Sequence, residues 1–478
     1  MATRRDQLQA ARFLAQRVHC ALVIGETDPE QPPFRRPSSA AFGSLALALV
    51  ALLAVGAYGF IKPGGNRAWR AGEAVIVVKE TGARYVYVGN RLHPVLNYTS
   101  ALLALGRHAP TRTVSRNSLI GVPRGPRIGI PDAPDTLPEA ARLLTSAWSL
   151  CSRPSADPTG AEVDESVLLA GADPTGARTL GDAALLVEVP ESGDQYLIWH
   201  GHRHRIRQPD TVTVGLALRA ETKTRVGAAL VDILPAGDTI TPIPVRGAGR
   251  RSNAVPRRPD ILIGQLLVVR PPGGGVQHYL AEADRLQAIT ELQYDIQLAA
   301  RSTSAAYPSS DPIGLPLNLT AAAGSRMQPP PTPTTAPPPP RRPTFTGTAT
   351  APICVTYDNN TPIPRVQTGG RLPPLTASVP TTARTPAGLP LADQVYLPPG
   401  RAALVEVLPS SQAPSGTLIL ATDQGRAYPL AGREVAAILG YPWARPIRLP
   451  AGLATRIPMG AALDPSTARV HSVPLTPP

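Results

Sequence analysis

Aromatic side chains are scarce in this chain, 4% of 478 residues, so its cores have to be built from Val, Leu, Ile and Ala, as in small sheet modules. Lysine is scarcer still: Lys62, Lys79 and Lys223 are the three among 47 basic residues. The formal charge of +13 is therefore carried by Arg dispersed among Ala, Gly and Pro, with no Lys/Arg run of the kind that tracks a nucleic-acid backbone. Nucleic acid is not an expected partner. A phosphate-cradling G-x-x-x-x-G-K-[ST] loop is missing too: the nearest spacing, Gly176 and Gly181, is followed by Asp182 where the motif needs Lys. There is no G-x-S-x-G nucleophile elbow. Asp164 and Glu165 are expected on a loop, as ordinary solvated charge. Little is left to support catalysis, and no cofactor is expected.

Proline (57) and glycine (41) are plentiful. Together they make about a fifth of the chain, above average usage yet below the level at which an aperiodic chain reads as disordered. Short strands with many turns follow, and a chain of this length holds several such modules. One segment departs from that pattern. Residues 40–61 (AAFGSLALALVALLAVGAYGFI) carry no charge and, at about 1.5 Å per residue, span roughly 30 Å of hydrocarbon. The flanking Arg35, Arg36 and Lys62 and the lack of a polar face favour a transmembrane helix over a buried core helix. The apolar run is longer, and the region before it larger, than in a cleaved signal peptide, so an uncleaved anchor is expected. Nearby charge does not decide its orientation, because Arg35 and Arg36 precede it while Lys62, Arg67 and Arg70 follow. Cysteine placement points to an exported C-terminal region. Cys20 lies before the anchor; Cys151 and Cys354 lie after it with no third distal partner, as one structural disulfide outside the cytosol would require, two unrelated buried thiols being the alternative.

Before the anchor, RRDQLQAARFLAQRVHCALVIG reads as an amphipathic helix, with Leu8, Ala11, Ala15, Val18 and Leu22 on one stripe and Arg5, Gln9, Arg12, Gln16 and His19 on another. Such a helix can lie on a leaflet or dock on a partner, and Arg5, Leu8, Arg12, Phe13 and Arg17 are the candidate docking residues. ETDPEQPPFRRP then forms a Pro-rich linker into the membrane.

Beyond the anchor a pattern recurs four times: Gly, then an apolar strand, as GEAVIVV from Gly72, GDAALLVEV from Gly181, GQLLVV from Gly264 and GRAALVEV from Gly400. Turns and second strands (YVYV, QYLIWH, TLILAT) complete hairpins, followed in three copies by short helical patterns, TSALLALG, VTVGLAL and REVAAILG. A second signature follows the same three copies: VPRGPRIGIP, LPAGDTITPIP and LPAGLATRIP, whose paired prolines suit an edge strand or an extended arm packed on a neighbour. LTSAWSLCSR and TATAPICVTYD fit no repeat and read as strands that carry one Cys each, joinable in a central sheet. MQPPPTPTTAPPPPRRPTF reads as an extended spacer. In WHGHRHRIR, His200, His202 and His204 alternate and are the weak candidates for a metal; with no further ligand in view, ordinary surface histidines are the expected reading.

The tail RRDQLQAARFLAQRV, the DPEQPPFRR linker, the single apolar span and LHPVLNYTSALLALG together resemble EccB, a membrane component of type VII (ESX) secretion, essentially from end to end. The resemblance implies a single-pass subunit of the cell (inner) membrane with a cytosolic N-terminus and a large periplasmic part. It also implies a homo-oligomer assembled with other type VII membrane subunits, including the translocation ATPase, and the two distal cysteines match the family's disulfide. The fold class expected is α+β, mainly β: one transmembrane helix, then an elongated extracytoplasmic region of four small strand-turn-strand-helix repeats and a central disulfide-stapled β domain. The parts expected are a cytosolic tail and linker at 1–36, the membrane helix at 40–61, repeat 1 with its Pro arm at 72–131 and a central segment at 132–180. Repeat 2 with its arm at 181–244, repeat 3 at 260–300 and a Pro-rich linker at 308–346 follow. A second central segment at 347–395, repeat 4 with its arm at 400–458 and a tail at 459–478 complete the chain. The expected function is scaffolding of a secretion complex. A membrane-anchored wall-binding protein and an extracytoplasmic hydrolase, nucleotide- or metal-dependent, are the alternatives, ATP hydrolysis having been proposed within the family.

Overall fold

The computed structural model describes residues 3–25, 35–61, 68–157, 159–347, 350–359, 362–410 and 413–470. Most of the expected linker (26–34), Lys62, Arg67 and the last eight residues of the tail (471–478) lie outside the described residues. The chain divides into two units, residues 1–83 with 111–123, and residues 84–110 with 124–478.

The first unit opens with α1 (Arg4–Ile24). Its start is fixed by Thr3, whose amide and hydroxyl both donate to the Asp6 carboxylate at 2.9 and 2.6 Å. Gly25, at φ 78, ends it by donating its N–H to the Ala21 carbonyl. Helix α2 (Arg35–Ile61) follows. Across residues 39–58 its mean hydropathy is 2.3, and among the described residues it is the one helix long and apolar enough to cross a membrane. Its apolar side chains are exposed all round, Leu47 at 74% and Leu52 at 71%, a surface that hydrocarbon solvates and water does not. Further on, strand Val75–Val78 pairs in parallel with Thr111–Val114. Buried Trp69 donates its indole N–H to Ser118 Oγ at 3.1 Å.

The second unit is built from strand modules around a seven-stranded sheet. In module 2, Leu185–Val189, Asp194–Trp199 and His202–Arg205 form an antiparallel meander. Helix Pro209–Gly215 follows, and the chain returns as Thr224–Arg225, parallel to the first strand. Module 4 repeats this with Ala402–Leu408, Thr417–Thr422 and Arg426–Pro429, helix Arg433–Ile438 and the parallel return Ile447–Pro450. Module 3, whose sequence pattern is the loosest, has the same plan: Leu266–Val269, Gln277–Ala281 and Leu286–Ile289, helix Glu291–Leu298, then Gly314–Pro316 parallel to the first strand. Its sheet also takes in Met327–Gln328, parallel to the third strand. Two strands expected inside the 308–346 linker therefore belong to the module expected to end at 300, because they complete hydrogen bonds its sheet edges would otherwise leave open. The hairpin Arg84–Val88 with Arg91–Pro94 and helix Tyr98–Leu105 supply the corresponding elements after the anchor; Asn97 caps that helix by accepting from Ser100 N–H at 2.9 Å.

The central sheet joins sequence from both sides of modules 2 and 3. The long hairpin Trp148–Ala156 with Glu162–Ala170 is flanked on one side by Ile353–Tyr357 and Arg365–Thr368, and on the other by the parallel strand Gln394–Tyr396. Its buried face, with Trp148, Leu150, Leu168 and Val355, shares one continuous core with Leu185, Leu230, Val405 and Leu453 of modules 2 and 4. Apart from Trp148 and Tyr357 the residues of this core are aliphatic, and their burial stands in for the aromatic packing the composition has little of.

Candidate functional site: docking helix, stapled sheet and module arms

Cys151 and Cys354 face one another directly across adjacent antiparallel strands, with Cα atoms 4.0 Å apart, and are joined by a disulfide of 2.05 Å that closes 203 residues. Both are fully buried with Val167 and Leu169. Cys20, in α1, is a free thiol. Arg5, Leu8, Arg12, Phe13 and Arg17 all lie on α1 and are all exposed, Leu8 at 55% and Phe13 at 57%. The Arg17 guanidinium sits 5.5 Å from the Phe13 ring centroid.

The three histidines do not converge. His200 sits at a turn with φ 47, its ring stacked on Trp199 at 3.8 Å and its Nε2 2.9 Å from Asp182. His202 bonds through Nδ1 to the His200 carbonyl at 3.0 Å. His204 is fully buried and donates from Nδ1 to the Asp238 carbonyl at 2.8 Å. Among the described residues no group of three His, Cys, Asp or Glu side chains is arranged to hold a metal. The reading of all three as surface histidines is corrected at His204, which is a packing residue.

What His204 packs against is a feature of the modules that sequence reading placed incorrectly. The ring lies over Gly237, where an added Cβ would be 2.3 Å from it. In the first module the His93 ring lies the same way over Gly125, at 2.2 Å from such a Cβ, and donates from Nδ1 to the Pro126 carbonyl at 3.0 Å. In module 4 the partners are Tyr428 and Gly460, at 2.4 Å. Each glycine lies on an arm that runs parallel to the third strand, through the bridges Leu92 with Arg124, Arg203 with Ala236 and Ala427 with Met459. The true arms are VPRGPRI, LPAGDTI and IPMGAAL. LPAGLATRIP in module 4, which matched by its letters, instead forms the end of strand Ile447–Pro450 and the short helix Ala451–Ala454. The ring-to-glycine separation in sequence, 32, 33 and 32 residues, was the available signal.

Asp164 and Glu165, expected on a loop, lie within strand Glu162–Ala170. Glu165 is held by Arg153 at 2.6 Å. The Asp164 side chain is 9% exposed, with Arg225 Nε at 3.6 Å; burial raises its pKa above the ordinary carboxylate range and Arg225 only partly opposes this. Both residues line a cavity of about 550 Å³ between the central sheet and module 2, with Glu191, Arg384 and Asp393. The Asp393 carboxylate accepts from the Ser166 amide and hydroxyl, both at 2.7 Å.

The chain is similar to known secretion proteins. It is 32% identical over 298 residues to the ESX-5 secretion system ATPase EccB5 of Mycobacterium marinum, covering 60% of this chain and 57% of that one. It is 33% identical over 241 residues to the ESX-2 secretion system ATPase EccB2 of Mycobacterium tuberculosis, covering 49% and 47%. The chain thus spans about half the length of the curated relatives it matches. Its fold is that of a chain in an intact ESX-5 inner membrane complex, with a TM-score of 0.65, 24% identity and coverage of 100% of this chain and 97% of that one. It also matches an EccB3 dimer from the ESX-3 core complex, with a TM-score of 0.61, 25% identity and coverage of 83% and 100%. The family model for the type VII secretion system ESX-1 transport TM domain B matches residues 1–475, and the chain therefore belongs to the EccB family of type VII secretion membrane proteins.

Proposed function

We propose that this chain is a structural, membrane-anchored subunit of a type VII secretion complex, with its N-terminus in the cytosol and its strand modules on the other side of the membrane. Helix α1 binds another subunit of the complex, the translocation ATPase being the partner expected. The observation that carries this is α1 itself: an amphipathic helix one short linker away from a membrane-length helix, whose apolar residues Leu8, Phe13, Leu14, Val18 and Leu22 are all more than half exposed. A free helix with that much apolar surface is stable when a partner or a leaflet covers it. The disulfide supports the orientation, since it joins the two cysteines that lie beyond α2. Homo-oligomerisation is supported by the likeness to a chain solved as a dimer.

The test is extraction of the tagged chain from its own membrane in mild detergent, then sizing and identification of what travels with it. A large assembly containing a translocation ATPase is expected; a lone monomer or dimer would overturn the proposal.

A second reading, hydrolysis of ATP, comes from the names of the relatives. The stretch between Gly176 and Gly181 contributes Arg178–Thr179 as an edge strand of the central sheet. It also lines a cavity of about 440 Å³ with Gly347, Thr368, Gly369 and Gly370, which among the described residues offers one cation, Arg178, and no carboxylate for a metal. ATP turnover by the purified chain that is lost in Arg178→Ala would favour hydrolysis over scaffolding.

A further inference from the structure

The Pro-rich segment expected to be an extended spacer is instead strapped across module 2, and touches module 3 where the Leu292 amide donates to the Pro340 carbonyl at 3.1 Å. Residues 329–344 have no regular secondary structure and are mostly exposed, with Pro339 and Pro343 the buried residues among them. Polar contacts hold the rest. The Asp238 carboxylate accepts from the Thr334 amide and hydroxyl at 3.2 and 2.6 Å and from the Thr335 amide and hydroxyl at 3.2 and 3.0 Å. The Asp238 amide donates to the Ala336 carbonyl at 2.8 Å. Arg342 donates from Nε to the Leu216 carbonyl at 2.6 Å and pairs with Glu221.

Asp238 follows Gly237 on the module arm, and the same residue's carbonyl receives the His204 Nδ1 proton. A carbonyl can only accept, so Nδ1 carries the hydrogen and Nε2 is bare. Nε2 is buried and has no hydrogen-bond partner among the described residues. A proton added there would sit on a buried nitrogen with nothing to receive it, in a ring wedged against Gly237. We propose that the Pro-rich strap is a releasable latch on module 2, and that protonation of His204 opens it by displacing the Gly237–Asp238 arm.

The charged groups that act on His204 are Asp238 and His202. Asp238 on the arm favours the protonated ring, His202 on its own strand opposes it, and Leu197, its cross-strand neighbour, is apolar. Desolvation is the largest effect and holds the pKa of His204 below its ordinary value. The sign follows: a lowered folded-state pKa means that the closed latch is fully stable above the free histidine value of about 6.5 and loses stability as pH falls toward the lower folded value. Asp238 does not confuse this. Burial alone would raise its pKa, but the Thr334 and Thr335 bonds outweigh that and hold it below the ordinary carboxylate range, so it stays ionised where His204 titrates. His93 provides an internal comparison, since it makes the same bond to Pro126 but is only half-buried and is not linked to a strap. The strap is separable from the fold because two prolines and a handful of hydrogen bonds are a small, local unit.

The experiment is amide hydrogen exchange of the full chain in detergent at pH 7.5 and 5, corrected for intrinsic rates, reading residues 330–345 against the central strand Ile353–Tyr357. Exchange in the strap is expected to rise at pH 5, by at most about tenfold per pH unit for one linked proton, while the central strand stays protected. In His204→Phe, which fills the ring space and cannot titrate, the pH effect should vanish. An unchanged strap in the natural sequence, or an equal rise in His204→Phe, would overturn the proposal. Asp238→Ala keeps it testable if the Phe variant does not fold: its strap should exchange fast at both pH values, and a protected strap there would show that Asp238 is no latch.

Discussion

Gly125, Gly237 and Gly460 have no positive φ, so their backbone would accept alanine; what forbids it is the ring lying 2.2 to 2.4 Å from any added Cβ. For Gly460→Ala the buried Tyr428 ring has nowhere to go, and a loss of about 1–3 kcal/mol of stability is expected, read as a lowered unfolding midpoint. Gly275→Ala, which meets nothing within 4 Å, should be close to neutral. Asp164 gives a pH-dependent counterpart. Its folded pKa is raised by burial, so the unfolded chain gives up the proton first and stability is lost as pH rises through the folded value. Asp164→Asn is expected to raise the unfolding midpoint at pH 7 and to leave it unchanged near pH 3, where the native carboxyl is already neutral; equal midpoints at pH 7 would contradict this. Asp164 does not announce itself in the sequence. Asp164 looked solvated because charge usually is, and its burial follows from where module 2 lies against the central sheet.

Elements were more legible than residues where one physical cause dominates. Helix α2 is read from its apolar run and α1 from its periodicity, since both depend on near neighbours in the chain. If α1 docks through its apolar stripe, Leu8→Glu with Val18→Glu should detach the translocation ATPase on sizing while leaving the disulfide and the melting of the second unit unchanged. Retention of the ATPase would move the docking site elsewhere. The arms were misread for the opposite reason. LPAGLATRIP and LPAGDTITPIP share letters, yet which Gly lies under a ring depends on the third strand some thirty residues earlier. The strap was misread because proline-rich composition reports a lack of self-association, and the chain supplies the partner surface from Asp238, Leu216 and Glu221.

At the scale of the molecule, the disulfide ties together two strands that modules 2 and 3 separate in sequence. Removing it as Cys151→Ser with Cys354→Ser should cost about 2–5 kcal/mol, visible as a lower unfolding midpoint, and the natural chain should shift in gel mobility with reductant. Equal mobility and two labelled thiols would contradict the bond. The family, the membrane helix, the mainly β character and the two cysteines were fixed by residues alone, because each depends on composition, local period or contiguous motif. Tertiary structure decided how far module 3 runs, which arms are real, why His204 is buried and where the Pro-rich segment lies. These rest on hydrogen bonds and ring contacts between residues tens to hundreds of positions apart, and local sequence carries no record of which distant strand will complete an edge.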